Sequence, residues 1–112
     1  MKIAIPVTKG KLCMHFGHCE EFLLFDVDID KKSITSTSSV TPPPHEPGVL
    51  PGWIADRGVN FVIAGGMGAH AVTLFKERGV DVITGAPVGD PESVLRSYLN
   101  GQLVTGENAC DH

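Results

Sequence analysis

The chain has 112 residues, 42% of them hydrophobic and 20% charged, and its nine basic and thirteen acidic side chains give a net charge of -4. That is one domain of ordinary globular composition, and the acidic balance, with no basic cluster beyond Lys31-Lys32, argues against a nucleic-acid surface. Three cysteines cannot all pair within one chain, and an odd count without a secretory signal points to the cytoplasm, with reduced or metal-bound thiols.

Lys2 to Val7 is apolar and β-branched and reads as a buried strand, too short and broken for a signal core or a membrane span. Pro6 is unusual there, since proline favours strand ends and edges. Thr8 to Glu20 has no amphipathic period and reads as a loop. It holds Cys13-Met14-His15-Phe16-Gly17-His18-Cys19, two cysteines and two histidines within seven residues. Phe22 to Ile29 is a second strand, with Phe25, Val27 and Ile29 on one face and Phe22 and Leu24 on the other. Asp30-Lys31-Lys32 turns into Ser33–Val40, whose Ser/Thr content suits an exposed edge strand. Thr41-Pro42-Pro43-Pro44-His45-Glu46-Pro47-Gly48 is a stiff extended connector.

A short helix is expected from about Val49 to Arg57, burying Leu50, Trp53 and Ile54. Asn60–Ala64 is a strand, Gly65-Gly66-Met67-Gly68 a glycine turn, and Ala69 to Arg78 a helix that buries Val72 and Phe75. Val80–Ile83 is the last strand. Asp90-Pro91-Glu92 starts a final helix, with Val94, Leu95, Tyr98 and Leu99 inward. Residues 1–103 form the α/β domain, and 104–112 are a flexible tail carrying Cys110 and His112.

Alternation of strand and helix in the second half implies parallel strands with right-handed crossovers, and the opening hairpin adds an antiparallel neighbour. The expected result is a mixed five-stranded sheet with helices on both faces. If the first strand runs upward, the Cys/His loop, His45, Gly65–Gly68 and Gly85–Gly89 all fall at the top. That is the carboxyl edge, where open α/β sheets bind ligands.

Thiolate and imidazole are preferred ligands of zinc, copper(I) and iron–sulfur centres. Cys13, His15, Cys19, Cys110 and His112 are therefore the candidate metal ligands, with His18 ranked below His15. Gly65, Gly66 and Gly68, which let backbone N–H groups approach an anion before a helix start, are candidate cofactor contacts together with His45. Each has a plainer alternative. Cys13 and Cys19 can be small core residues, the glycines a tight turn, His45 a solvated loop histidine and His70 a surface residue. From Gly101 an extended chain reaches about 30 Å at Cys110, enough to climb about 15 Å back along the last helix to the crevice.

Several stretches together resemble one family. They are the opening Met-Lys-Ile-Ala-Ile-Pro-Val, His15-Phe16-Gly17, Phe25-Asp26-Val27-Asp28, Gly65-Gly66-Met67-Gly68 and Gly101-Gln102-Leu103. In this order they resemble the dinitrogenase iron–molybdenum cofactor biosynthesis family, over nearly the whole chain to Leu103. The resemblance implies a ribonuclease-H-like motif with strand order 3-2-1-4-5 and strand 2 antiparallel. It also implies a carrier or scaffold rather than an enzyme. Some members bind nitrogenase cofactor or its iron–sulfur precursors, and those of the orange-protein type hold a molybdenum–copper sulfide cluster. The carry-over is limited to His15, His45 and the Gly65–Gly68 turn. The cysteines belong to only part of the family.

The expected function is thus a carrier of an iron–sulfur or molybdenum-containing metal–sulfur cluster, partnered by a cluster-donor or cluster-acceptor protein and by neither nucleic acid nor membrane. The alternative is a zinc module in which Cys13, Cys19, Cys110 and His112 form a Cys₃His site. A thiol enzyme using Cys13 or Cys19 as nucleophile ranks third.

Overall fold

A computed structural model of the chain describes residues 1–14, 16, 19–43 and 48–106. Strand β1 (Lys2–Thr8) is central, and Ile3 to Val7 are all buried. That explains its unbroken apolar run, since both faces of the strand are covered. β3 (Glu21–Asp28) lies antiparallel on one side of β1, and β4 (Ser33–Val40) lies antiparallel beyond it. β5 (Phe61–Ile63) lies parallel on the other side, followed by β6 (Asp81–Ile83). The order β4-β3-β1-β5-β6 carries the five expected strands in the expected sequence.

The sheet gains a sixth strand that corrects the loop expected from Thr8 to Glu20. β2 (Lys11–Leu12) folds back on β1, pairing Thr8 with Lys11 and Val7 with Leu12. The cause is local. Lys9 and Gly10 both take positive φ, 54° and 79°, as a tight two-residue hairpin turn requires. β5 pairs with β1 only at Ile3 and Ala4, which leaves that flank of β1 open for β2 above it. Pro6 is tolerated for the same reason. It stands beyond the end of β5, where no parallel neighbour asks for its missing N–H.

Period-two alternation divides the core into two layers. Ile3, Ile5, Val7, Phe25, Val27, Phe61 and Ile63 pack against Val94, Leu95 and Leu99 of α3 (Pro91–Leu99). Ala4, Phe22, Leu24 and Val62 pack against Leu50 and Ile54 of α1 (Val49–Ala55) and Phe75 of α2 (Ala69–Glu77). Asp90 caps α3 by accepting from the Ser93 N–H at 2.9 Å, with Pro91 in the first turn. Among the described residues no helix is long and apolar enough to cross a membrane.

Two expectations of burial need correction. Ile29 does not continue the Phe25–Val27 face, because β3 ends at Asp28 and Ile29 is 48% exposed. The β3–β4 register shifts between Asp26 and Val27, leaving Thr35 as an extra residue in β4. The chain then turns, with the Ile29 carbonyl accepting from Lys32 N–H. Trp53 is not central core. It is half-buried at the margin of the second layer, with the Arg57 guanidinium 4.1 Å over its ring.

Candidate metal centre

The loop bearing Cys13 and Cys19 leaves and rejoins the sheet at adjacent residues of β1. The Cys13 N–H donates to the Pro6 carbonyl at 2.8 Å, and the Glu20 N–H donates to the Val7 carbonyl at 3.0 Å. Both ends of the loop are therefore tied to the end of one central strand, Cys13 on the β5 side and Cys19 on the β3 side. Cys13 is 9% exposed, and Cys19 is half-buried against the second core layer. Neither is in a disulfide, and the Cys19 thiol donates to the Phe16 carbonyl at 3.3 Å.

Phe16 fastens the middle of the loop. It is 5% exposed, and its ring meets Phe22 and Phe75 edge-on at centroid distances of 5.6 and 5.5 Å. Its N–H donates to the Gly66 carbonyl at 2.9 Å. Phe16 is the apolar anchor that the sequence offers between Met14 and His18, a lone aromatic inside a polar, glycine-containing loop.

The glycine turn is the bed on which the loop lies. A Cβ on Gly65 would stand 3.1 Å from the Cys13 carbonyl oxygen and 3.2 Å from Met14 Cα, so only glycine admits the backbone this closely. The Gly65 carbonyl accepts from Gly85 N–H at 2.6 Å, and Leu12 N–H donates to Gly89 at 2.8 Å. Three of the segments expected at the carboxyl edge are thus joined by hydrogen bonds. Gly65 and Gly66 are buried, whereas Gly68 is exposed as the extended N-cap of α2, without a side-chain cap. His70 is exposed on the first turn of α2, as expected. His15, His18, His45, Cys110 and His112 lie outside the described residues. Among the described residues no three His, Cys, Asp or Glu side chains gather as a metal would need, so Cys13 and Cys19 are the part of the candidate ligand set that the fold brings together.

Burial pushes the Cys19 thiol up from 9.0 to about 12, electrostatic repulsion from the neighbouring Cys13 adds to this, and a backbone hydrogen bond opposes it. A protonated thiol is a poor nucleophile, so Cys19 should alkylate far more slowly than free cysteine at pH 8, as read by mass spectrometry of the labelled peptide. The sign for stability follows. Above pH 9 the unfolded chain loses this proton while the folded chain keeps it, so unfolding is favoured increasingly as pH climbs from 9 towards 12. Metal-free protein whose midpoint did not fall over that range would contradict the burial of this thiol.

The protein is thus an open, mixed α/β sheet with two thiols and a glycine turn at its carboxyl edge, the edge at which such sheets bind ligands. The sequence profile of the dinitrogenase iron-molybdenum cofactor family matches residues 1–101, and the chain belongs to that family. It is 30% identical over 106 residues to the uncharacterised protein MJ0580 of Methanocaldococcus jannaschii, covering 92% of this chain and 89% of that one. The crystal structure of PH0822 superposes with a TM-score of 0.88 at 28% identity, covering 96% of each chain. The apo form of the orange protein from Desulfovibrio gigas superposes with a TM-score of 0.76 over 96% of this chain and 93% of that one, and its 17% identity speaks to the fold alone.

Proposed function

We propose that the protein is an accessory carrier that binds an iron–sulfur or molybdenum-containing metal–sulfur cluster and passes it between a donor and an acceptor protein. The observation that carries this reading is the pair of thiols whose loop is tied at both ends to β1 and at its middle to the glycine turn. Family membership supports it. The donor set suits the cargo, because thiolates are the usual protein ligands of iron–sulfur centres. Cys13 and Cys19 supply two of them, with Cys110 as the third thiolate and His15, His45 or His112 completing the shell in the reading taken from the sequence. The α2 N-terminus, which has no side-chain cap, follows the turn and favours an anionic cargo. The role is binding rather than catalysis, and a Cys19 thiol held protonated to about 12 suits a ligand that a metal deprotonates better than a resting nucleophile.

Anaerobic purification with metal and sulfide analysis tests this. The expected product absorbs visible light and contains iron or molybdenum with inorganic sulfide. A colourless protein that takes up one zinc per chain and refuses a metal–sulfur cluster under reconstitution would overturn the reading in favour of a zinc module.

A further inference from the structure

The basic residue nearest to Cys13 in the chain is Lys11, and strand pairing fixes where it stands. Lys9 and Gly10 form the hairpin turn, so Lys11 lies opposite Thr8 and Leu12 opposite Val7. The Cys13 N–H, bonded to the Pro6 carbonyl, carries the same register one residue further. Side chains alternate between the two faces of a sheet. Val7 and Leu12 belong to the core layer under α3. Lys11 and Cys13 therefore share the opposite face, the one covered by α1 and α2, and Cys19 packs on that face as well. Two residues apart on one strand face, Lys11 and Cys13 are separated by about 6.8 Å along the chain.

The charge of Lys11 is not used within the fold. Lys11 is exposed, and among the described residues its ammonium has neither an ion-pair nor a hydrogen-bond partner. The neighbouring carboxylates are engaged elsewhere. Glu20 Oε1 accepts from the Lys9 N–H at 2.7 Å. Glu21 pairs with Val7 and so lies on the other face, where it accepts from the Ser39 hydroxyl at 2.7 Å. The first turn of α2, on the thiol face, contains no acidic residue. The thiols thus stand in an electropositive corner of a chain whose net charge is -4. A metal–sulfur cluster held by thiolates and sulfide is anionic as a rule. We propose that Lys11 is a specificity-determining residue of this site, whose ammonium recognises the negative charge of a metal–sulfur cargo and disfavours free divalent cations. This rests on the carrier reading and deepens it, because thiolates alone do not make that distinction and bind zinc equally well. The attraction acts through space, so it is felt at low ionic strength and screened by salt.

Two probes of opposite charge test this on full-length, reduced protein. One is the tetrathiomolybdate dianion, followed by visible absorption in equilibrium dialysis. The other is the zinc ion, followed by competition with a chromophoric chelator. Lys11→Gln should lower tetrathiomolybdate affinity about tenfold at low ionic strength, and the difference should vanish at about 1 M salt. Zinc affinity should stay level or rise. Lys11→Arg, which keeps the charge, should behave as the parent protein does, and Lys11→Glu should weaken tetrathiomolybdate further. A reconstituted cluster should be shed in the same order. The position is exposed and outside both core layers, so circular dichroism and melting should not change. If Lys11→Gln weakens both probes alike, the lysine supports the loop rather than reading charge, and the inference falls. Equal tetrathiomolybdate affinity and equal cluster retention in parent and Lys11→Gln also overturn it, while the carrier reading stands on Cys13 and Cys19. A parent protein that binds zinc but neither tetrathiomolybdate nor a reconstituted cluster overturns the carrier reading, and the role of Lys11 with it.

Discussion

Replacing both loop cysteines, Cys13→Ser together with Cys19→Ser, will abolish cluster binding and leave the fold standing. Two core layers built on Ile3, Ile5, Phe22, Phe25, Ile63, Phe75 and Leu95 carry the packing, and none of these depends on a sulfur atom. The loop's ties to Pro6, Val7 and Gly66 are backbone hydrogen bonds that serine keeps. A thiol-to-hydroxyl change at a buried or half-buried position costs on the order of 1 kcal/mol, against a total stability of about 5–15 kcal/mol. Metal–thiolate sites draw about 10 kcal/mol or more from all their ligands together, so losing two ligands should lower affinity by at least about a thousandfold. Reconstitution should give no colour and no bound metal, with far-UV circular dichroism unchanged and a melting temperature lowered by about 10 °C or less. A metal-free double variant that failed to fold would make the cysteines packing residues instead.

The sheet was legible because its signals were long or redundant. β1, β3 and β4 announced themselves by unbroken apolar composition, by period-two alternation and by Ser/Thr content. The parallel half followed from strand and helix taking turns. β2 escaped because two residues carry no period. Lys11 and Leu12 pair with β1 only because Lys9 and Gly10 accept positive φ and because β5 stops early. Ile29 was misplaced because β3 ends at Asp28 and the chain turns from Ile29 to Lys32, an end that period-two alternation does not mark.

The site divides in the same way. That Cys13 and Cys19 share a loop at the carboxyl edge was readable from strand order. What holds them there was not, because the ties run to the carbonyls of Pro6, Val7, Phe16 and Gly66, and any residue type carries a carbonyl. Gly65 and Gly85 look alike in the sequence, yet each is glycine for a different neighbour. The first admits the cysteine loop and the second admits the C-terminal segment. Close approach of two backbones is a tertiary fact that leaves only a glycine behind as its trace.

Phe16→Ala should do damage of a different kind from an ordinary cavity. The ring is nearly fully buried between Phe22 and Phe75, and truncating such a residue costs about 3–5 kcal/mol. Leu95→Ala, in the layer on the opposite face of the sheet, is a fair comparison at about 2–5 kcal/mol. The two variants part company at the site. Phe16 lies between Cys13 and Cys19 in the chain, its carbonyl accepts from the Cys19 thiol, and its N–H ties the loop to the glycine turn. Without the ring, the loop keeps its two ends on β1 but loses the apolar anchor that holds its middle against α2 and β3. The thiols then sample separations that no single cluster can bridge, and the ordering entropy must be met at binding. Cluster affinity should therefore fall about tenfold or more in Phe16→Ala. Leu95→Ala, compared at a temperature where both variants are folded, should bind as the parent protein does. Phe16→Leu, which refills most of the hole, should recover both stability and affinity in large part. The measurement is cluster retention under a chelator, followed by visible absorption, beside thermal melts of the same samples. Equal retention in Phe16→Ala and Leu95→Ala would reduce Phe16 to a core residue with no hold on the thiols.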